Sequence, residues 1–259
     1  MYCNDDSLAS LTPVPLVGGF LSMYKAPAGK SWDRWRIFSD WNLQPDLICS
    51  LGGDCIAASQ QKVRGLRPFS LPFDWCMSDG AAAIEKLAEQ FAVGFSGFAR
   101  RENLEPIPGS HFGYKDTKTG FSFIHHFKDK IEQEGEFERF DEILQRRISR
   151  LHRAIESSGT VLFLLSRTWK VDERCLRAVS NSCIKKWPGK KFQFVLVTYN
   201  SQPATIYHND MYGVIRIPRD RTGYDLREKV FEWSFLDEIR YSAEAQKMHA
   251  VISEGDFSH

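Results

Sequence analysis

Apolar positions along this chain fall into two patterns that alternate. Short runs that are apolar almost throughout occur at Leu47, Ile48, Cys49 and Leu51, over residues 161–165 and over residues 192–198. Runs of this kind suit strands covered on both faces. Between them, apolar residues recur every three or four positions. One such stretch spans about 81–91, with Ile84, Leu87, Ala88 and Phe91 on one side and Ser78 or Asp79 as cap. A longer one spans 137–157, with Phe140, Ile143, Leu144, Ile148, Leu151 and Ile155 inward. Helices are also expected over 172–186 and 225–240, the second with Leu226, Val230, Trp233 and Leu236 inward. Residues 213–217 read as a further strand, and 121–127 (FSFIHHF) as an aromatic, alternating one. The alternation implies an α/β fold: a mainly parallel sheet with helices on both faces, in three layers.

Residues 1–45 differ from the rest. They hold Pro13, Pro15 and Pro27, then Trp32, Trp35 and Trp41, and are too few to bury a core of their own. They read as a partly ordered extension, 46–245 as a single α/β domain, and 246–259 as a flexible tail. Two prolines keep 67–75 (RPFSLPFDW) out of regular helix, and 106–120 looks loop-like.

Composition narrows the function. An apolar fraction of 42% supports a substantial core, and a formal net charge of +1 favours neither nucleic acid nor an anionic membrane. No apolar stretch approaches the roughly 20 residues that span a bilayer. Asp5 and Asp6 stand where a secretory signal would carry positive charge. The six cysteines form no C-x-x-C pair, so reduced thiols and a cytoplasmic location are expected. No cofactor and no metal are expected: phosphate-loop, G-x-G-x-x-G, H-E-x-x-H and G-x-S-x-G patterns are all absent. Nothing in the pattern fixes an oligomeric state.

The stretch 46–65, DLICSLGGDCIAASQQKVRG, carries the sharpest chemical signal. It reads as strand, glycine turn and helix. Gly52 and Gly53 allow the sharp exit, Asp54 is a fair N-cap, and Gly65 a fair stop. Cys55 then lies in the first helical turn, where free N–H groups favour a thiolate. The competing reading is a small apolar filler, and the adjacent Asp54 works against ionisation. A thiol nucleophile needs a base. His125 and His126 end an aromatic strand, where adjacent side chains point to opposite faces, so at most one should meet Cys55. His111 remains open. Asp74, between Phe73 and Trp75, needs a partner if buried; it orients a histidine or pairs with Arg64 or Arg67. Arg146, Arg150 and Arg153 line one face of the long helix and suit an anion, as does Arg167 after the strand VLFLL.

Together SLGGDC and its helix, GLRPFSLPFDW, FIHHF, QRRISRL and VLFLLSR, in that order, resemble a bacterial family of papain-like cysteine peptidases. The likeness spans roughly 46–200. It implies Cys55 as nucleophile, a histidine of FIHHF as base and Asp74 as a positioning group. His125 falls at the family's histidine, and His126 replaces an aspartate. Gly53, Asp54, Arg146 and Arg167 are the expected substrate contacts. The implied reaction is hydrolysis or acyl transfer on a peptide, amide or acyl group, one linked to a glycan included. The competing class is a protein that binds or transfers a sugar-phosphate or nucleotide-sugar ligand, with Cys55 merely packed.

Overall fold

A computed structural model describes residues 14–16, 19–25, 43–78, 80–167, 173–198, 205–208, 211–216 and 233–254. Strands β1 (Val14–Leu16) and β2 (Gly19–Lys25) are followed by β3 (Leu47–Ser50), helix α1 (Ile56–Val63), β4 (Met77–Ser78) and α2 (Gly80–Val93). Then come β5 (Leu104–Pro106), β6 (Tyr114–Asp116), β7 (Phe121–Phe123) and the long helix α3 (Glu136–Ser157). The chain continues through β8 (Thr160–Arg167), α4 (Glu173–Lys186), β9 (Lys191–Thr198), β10 (Thr205–His208), β11 (Tyr212–Arg216) and α5 (Ala243–Glu254).

Seven strands form one sheet in the order β1-β2-β10-β11-β9-β8-β3. Its heart is parallel: β3 runs beside β8, β8 beside β9, and β9 beside β11. The antiparallel strands β10, β2 and β1 extend one side. Alternate residues of each parallel strand feed different layers. Leu47, Cys49, Val161, Phe163, Leu165, Phe192 and Phe194 join the larger cluster with residues of α2, α3 and α4. Ile48, Leu162, Leu164, Val195, Val197 and Ile215 face the smaller one, with Ile56 and Ala57 of α1 and Trp233, Phe235, Leu236 and Ile239. The three-layer α/β arrangement follows from strands that are apolar on both faces.

A second sheet, β4-β7-β6-β5, is antiparallel, and its β6 lies inside the stretch expected to be loop. It packs aromatics: Phe121 and Phe123 of β7 meet Phe98, and Phe121 also meets Phe73.

Two further expectations change, and a third lies mostly outside the described residues. The strand expected over 121–127 stops at Phe123, because the backbone beyond it bonds to α3 side chains instead of a neighbouring strand. Glu136 accepts the N–H groups of Lys128 and Asp129 at 2.5 and 3.4 Å, and Arg139 donates to the His126 carbonyl at 2.8 Å. Most of the helix expected over 225–240, including Leu226 and Val230, lies outside the described residues. Its described end is a 3-10 turn, Ser234–Glu238, flanked by three-residue bonds from Leu236 N–H to Trp233 and from Ile239 N–H to Leu236. Where a loose tail is expected from 246, the chain is helical to Glu254. Ala245, His249 and Ile252 form the buried face of α5, and His249 Nε2 lies 2.9 Å from the Asp46 carbonyl.

Candidate active site

The cysteine turn is built by its glycines. Gly52 and Gly53 have φ of +78° and +103°, the left-handed side that glycine reaches without strain. A Cβ on Gly52 would stand 3.1 Å from Phe121 Cε1 and 3.3 Å from the Cys76 carbonyl oxygen. The turn is thus pressed against the start of β7. Ser50 Oγ accepts the Gly52 N–H at 3.2 Å. Asp54 is spent on structure: Oδ1 accepts the Ile56 N–H at 2.9 Å, and Oδ2 the Ser166 hydroxyl at 3.0 Å.

Cys55 is the N-cap residue of α1, with helical φ and ψ of −77° and −2°. Its carbonyl accepts the Ser59 N–H at 3.0 Å. Of the five described free cysteines, Cys49, Cys76, Cys175 and Cys183 are buried, and Cys55 is half-exposed. Burial, and next the Asp54 carboxylate, push the Cys55 thiol above its ordinary value. The helix start therefore does not by itself make a thiolate, as the sequence suggests; the neighbouring charge and partial burial outweigh it. Ionisation needs a base.

Asp74 is buried and bonds to Arg67 Nε at 2.7 Å and to the Leu71 N–H at 2.9 Å. Of the partners considered, the structure selects Arg67; Arg64 pairs with Asp237 instead. Both bonds hold the 67–75 loop, and neither reaches an imidazole. Burial still raises the Asp74 carboxyl, with Arg67 opposing it.

Both histidines of FIHHF reach one cavity of about 340 Å³. The bend at 124–126 replaces the strand, so the opposite-face rule no longer separates them. One wall is Arg139, Phe140, Ile143 and Arg147 of α3; Trp75, His125 and His126 complete it. Arg139, Ile143 and Arg147 repeat at intervals of four, one face of the helix. Arg146 is exposed and does not line the cavity. Arg150 points to the 67–75 loop, donating to the Ser70 carbonyl at 2.6 Å. Arg139 and Arg147 were missed because the Arg146, Arg150 and Arg153 stripe is the more conspicuous. The signal for them was their register with Ile143.

Within the cavity wall the groups are unevenly satisfied. Arg139 pairs with Glu136 at 2.6 Å, which holds that carboxyl down at about 2. Arg147 is partly buried, and its one hydrogen bond among the described residues is to His126 Nε2 at 3.3 Å. Since a guanidinium only donates, Nε2 accepts and the ring hydrogen sits on Nδ1. That Nδ1 is buried without a hydrogen-bond partner among the described residues. Burial, with Arg147, His125 and Arg139 adding, pushes His126 down to about 3, so it stays neutral. His125 is exposed. Cys55 is not in the cavity lining, and neither is Asp74. Arg167 ends β8 opposite Thr198; its side chain lies outside the described residues. Of the remaining histidines, His111 is exposed and His152 packs against Phe95 and Trp187. Among the described residues no cluster of three or more His, Cys, Asp or Glu could hold a metal ion. No helix among them is long and apolar enough to cross a membrane.

The model of the family described as "putative papain-like cysteine peptidase" matches residues 46–202, more than half of the chain. The chain belongs to this family. The matched segment begins at the strand that delivers Cys55 and contains both FIHHF histidines and the two cavity arginines. It supports a cysteine hydrolase in outline. No curated protein and no solved structure matches the chain significantly.

Proposed function

We propose that the protein is a thiol hydrolase in which Cys55 is the nucleophile and His125 its base. The observation that carries this reading is the partial exposure of one thiol among the five described, at the carboxyl end of a parallel strand, within the segment the peptidase family matches. Crevices at those strand ends are where open α/β sheets bind ligands. His125 is favoured over His126 because the His126 Nε2 lone pair is already taken by Arg147, whereas the exposed His125 ring makes no described hydrogen bond. The contact of Gly52 with Phe121 brings the cysteine turn against the strand that leads, four residues on, to His125.

In this mechanism His125 takes the Cys55 proton, and the sulfur attacks a carbonyl of a peptide, amide or other acyl compound. N–H groups of the cysteine turn other than that of Ile56, which Asp54 already takes, stabilise the developing oxyanion. The leaving group departs with the proton from His125, and water releases the acyl group from sulfur; another acceptor in its place would give acyl transfer.

Iodoacetamide labelling at neutral pH tests the pair, because labelling reports thiolate. Wild-type protein should label at Cys55. Cys55→Ala should abolish it with an unchanged melting temperature, and His125→Ala should slow it by about tenfold or more. Equal labelling of wild type and Cys55→Ala would remove Cys55 from the mechanism.

A further inference from the structure

The cavity beside FIHHF has a charge pattern that the thiol chemistry leaves unexplained. Arg139 is neutralised by Glu136 at 2.6 Å. Arg147 is not: no carboxylate lies within ion-pair distance of it among the described residues, although its guanidinium is partly buried. Asp74 is near enough to influence Arg147 electrostatically, but its bonds go to Arg67 and the Leu71 N–H. A partly buried cation without a contacting anion is costly. A second donor is also unspent: His126, neutral with its hydrogen on Nδ1, keeps that buried N–H without a partner among the described residues.

Apart from His125, the rest of the wall is apolar. Phe140 and Ile143 come from α3, and Trp75 from the proline-fixed loop. Trp75 sits at φ +66°, uncommon for a residue with a side chain. The loop enforces it through the Asp74 bonds and the Cys76 N–H to Phe73 bond at 3.2 Å, and Arg67 lies over the indole, 5.5 Å from its centroid. Strain of this kind persists where the surroundings over-determine it, commonly at ligand clamps.

We propose that this cavity binds a carboxylate borne on a flat apolar body, with Arg147 taking the carboxylate and Trp75, Phe140 and Ile143 enclosing the body. A single unneutralised cation suits a monoanion better than a doubly charged phosphate. Guanidinium forks match carboxylate oxygens. On the hydrolase reading, which this inference extends, the cavity is the specificity pocket, and the preferred substrates carry a carboxylate close to the acyl group that Cys55 attacks.

Titration calorimetry on the full chain tests it, with benzoate, benzamide and phenyl phosphate as probes. Benzoate should bind saturably in the millimolar range, and benzamide, its neutral isostere, about tenfold more weakly or worse, a difference of about 1.4 kcal/mol. Arg147→Met should reduce benzoate binding to the benzamide level. Cys55→Ala should bind benzoate like wild type, so failure of the thiol mechanism and failure of this pocket give different results. Equal affinity for benzoate and benzamide in wild-type protein overturns the proposal even if Arg147→Met does not fold. So does the absence of saturable benzoate binding, tighter binding of phenyl phosphate than of benzoate, or wild-type binding by folded Arg147→Met.

Discussion

Asp74 illustrates how one side chain serves structure where sequence alone suggests chemistry. The motif PFDW resembles a site, but its carboxylate ties Arg67 to the Leu71 N–H and so shapes the loop that presents Trp75. Asp74→Ala leaves Arg67 without its anion and the Leu71 N–H without its acceptor. It should lower stability by about 3 kcal/mol, read from the denaturant midpoint. Asp74→Asn, which keeps an acceptor oxygen, should cost less. A denaturation midpoint unchanged by Asp74→Ala would show the pair to be incidental. The cysteine turn was legible in sequence because two glycines and an acidic cap have narrow conformational meaning. The state of the thiol was not: burial and the direction in which Asp54 points are tertiary facts, and they reverse the effect of the helix start.

At the level of elements, the apolar periods recover most helices and parallel strands to within a residue or two. The exception that matters is the segment after Phe123. Its alternating aromatics satisfy the strand pattern, yet Glu136 and Arg139 capture its backbone from thirteen residues or fewer away. Side-chain capture of this kind has no periodic signature. The clamp gives a pH dependence. His126 titrates near 3 when folded and near 6.5 as a free residue, so the unfolded chain binds the extra proton between those values. Stability should therefore fall as pH drops from about 6.5 toward 3. Glu136, lowered from 4.5 to about 2, adds a loss over that lower range. His126→Gln should flatten the limb between about pH 6.5 and 4.5 in denaturant melts. It will not abolish the slope, because His152 and His249 are lowered as well. An unchanged slope would mean that His126 is already protonated or solvated in the folded protein.

Across the whole molecule, the parallel heart of the sheet and its two covering layers were legible because strands apolar on both sides have to be covered twice. The second, antiparallel sheet was not, since β4 to β7 are two or three residues each and carry too few positions to show a period. The cover over Ile48, Ile56 and Ala57 comes from far along the chain: Trp233, Phe235, Leu236 and Ile239 complete that cluster. Tyr241 donates to the Leu66 carbonyl at 2.8 Å, and His249 bonds to Asp46, where β3 begins. A fragment limited to residues 46–202 would keep every catalytic candidate and lose this cover. It should show no cooperative melting transition, whereas the full chain should show one; a sharp transition from the fragment would contradict this. The segment that defines the family is thus a tenant of a larger building. Searches, excisions or grafts that respect only its outline would carry off the reactive thiol while leaving behind the roof that keeps water from its foundations.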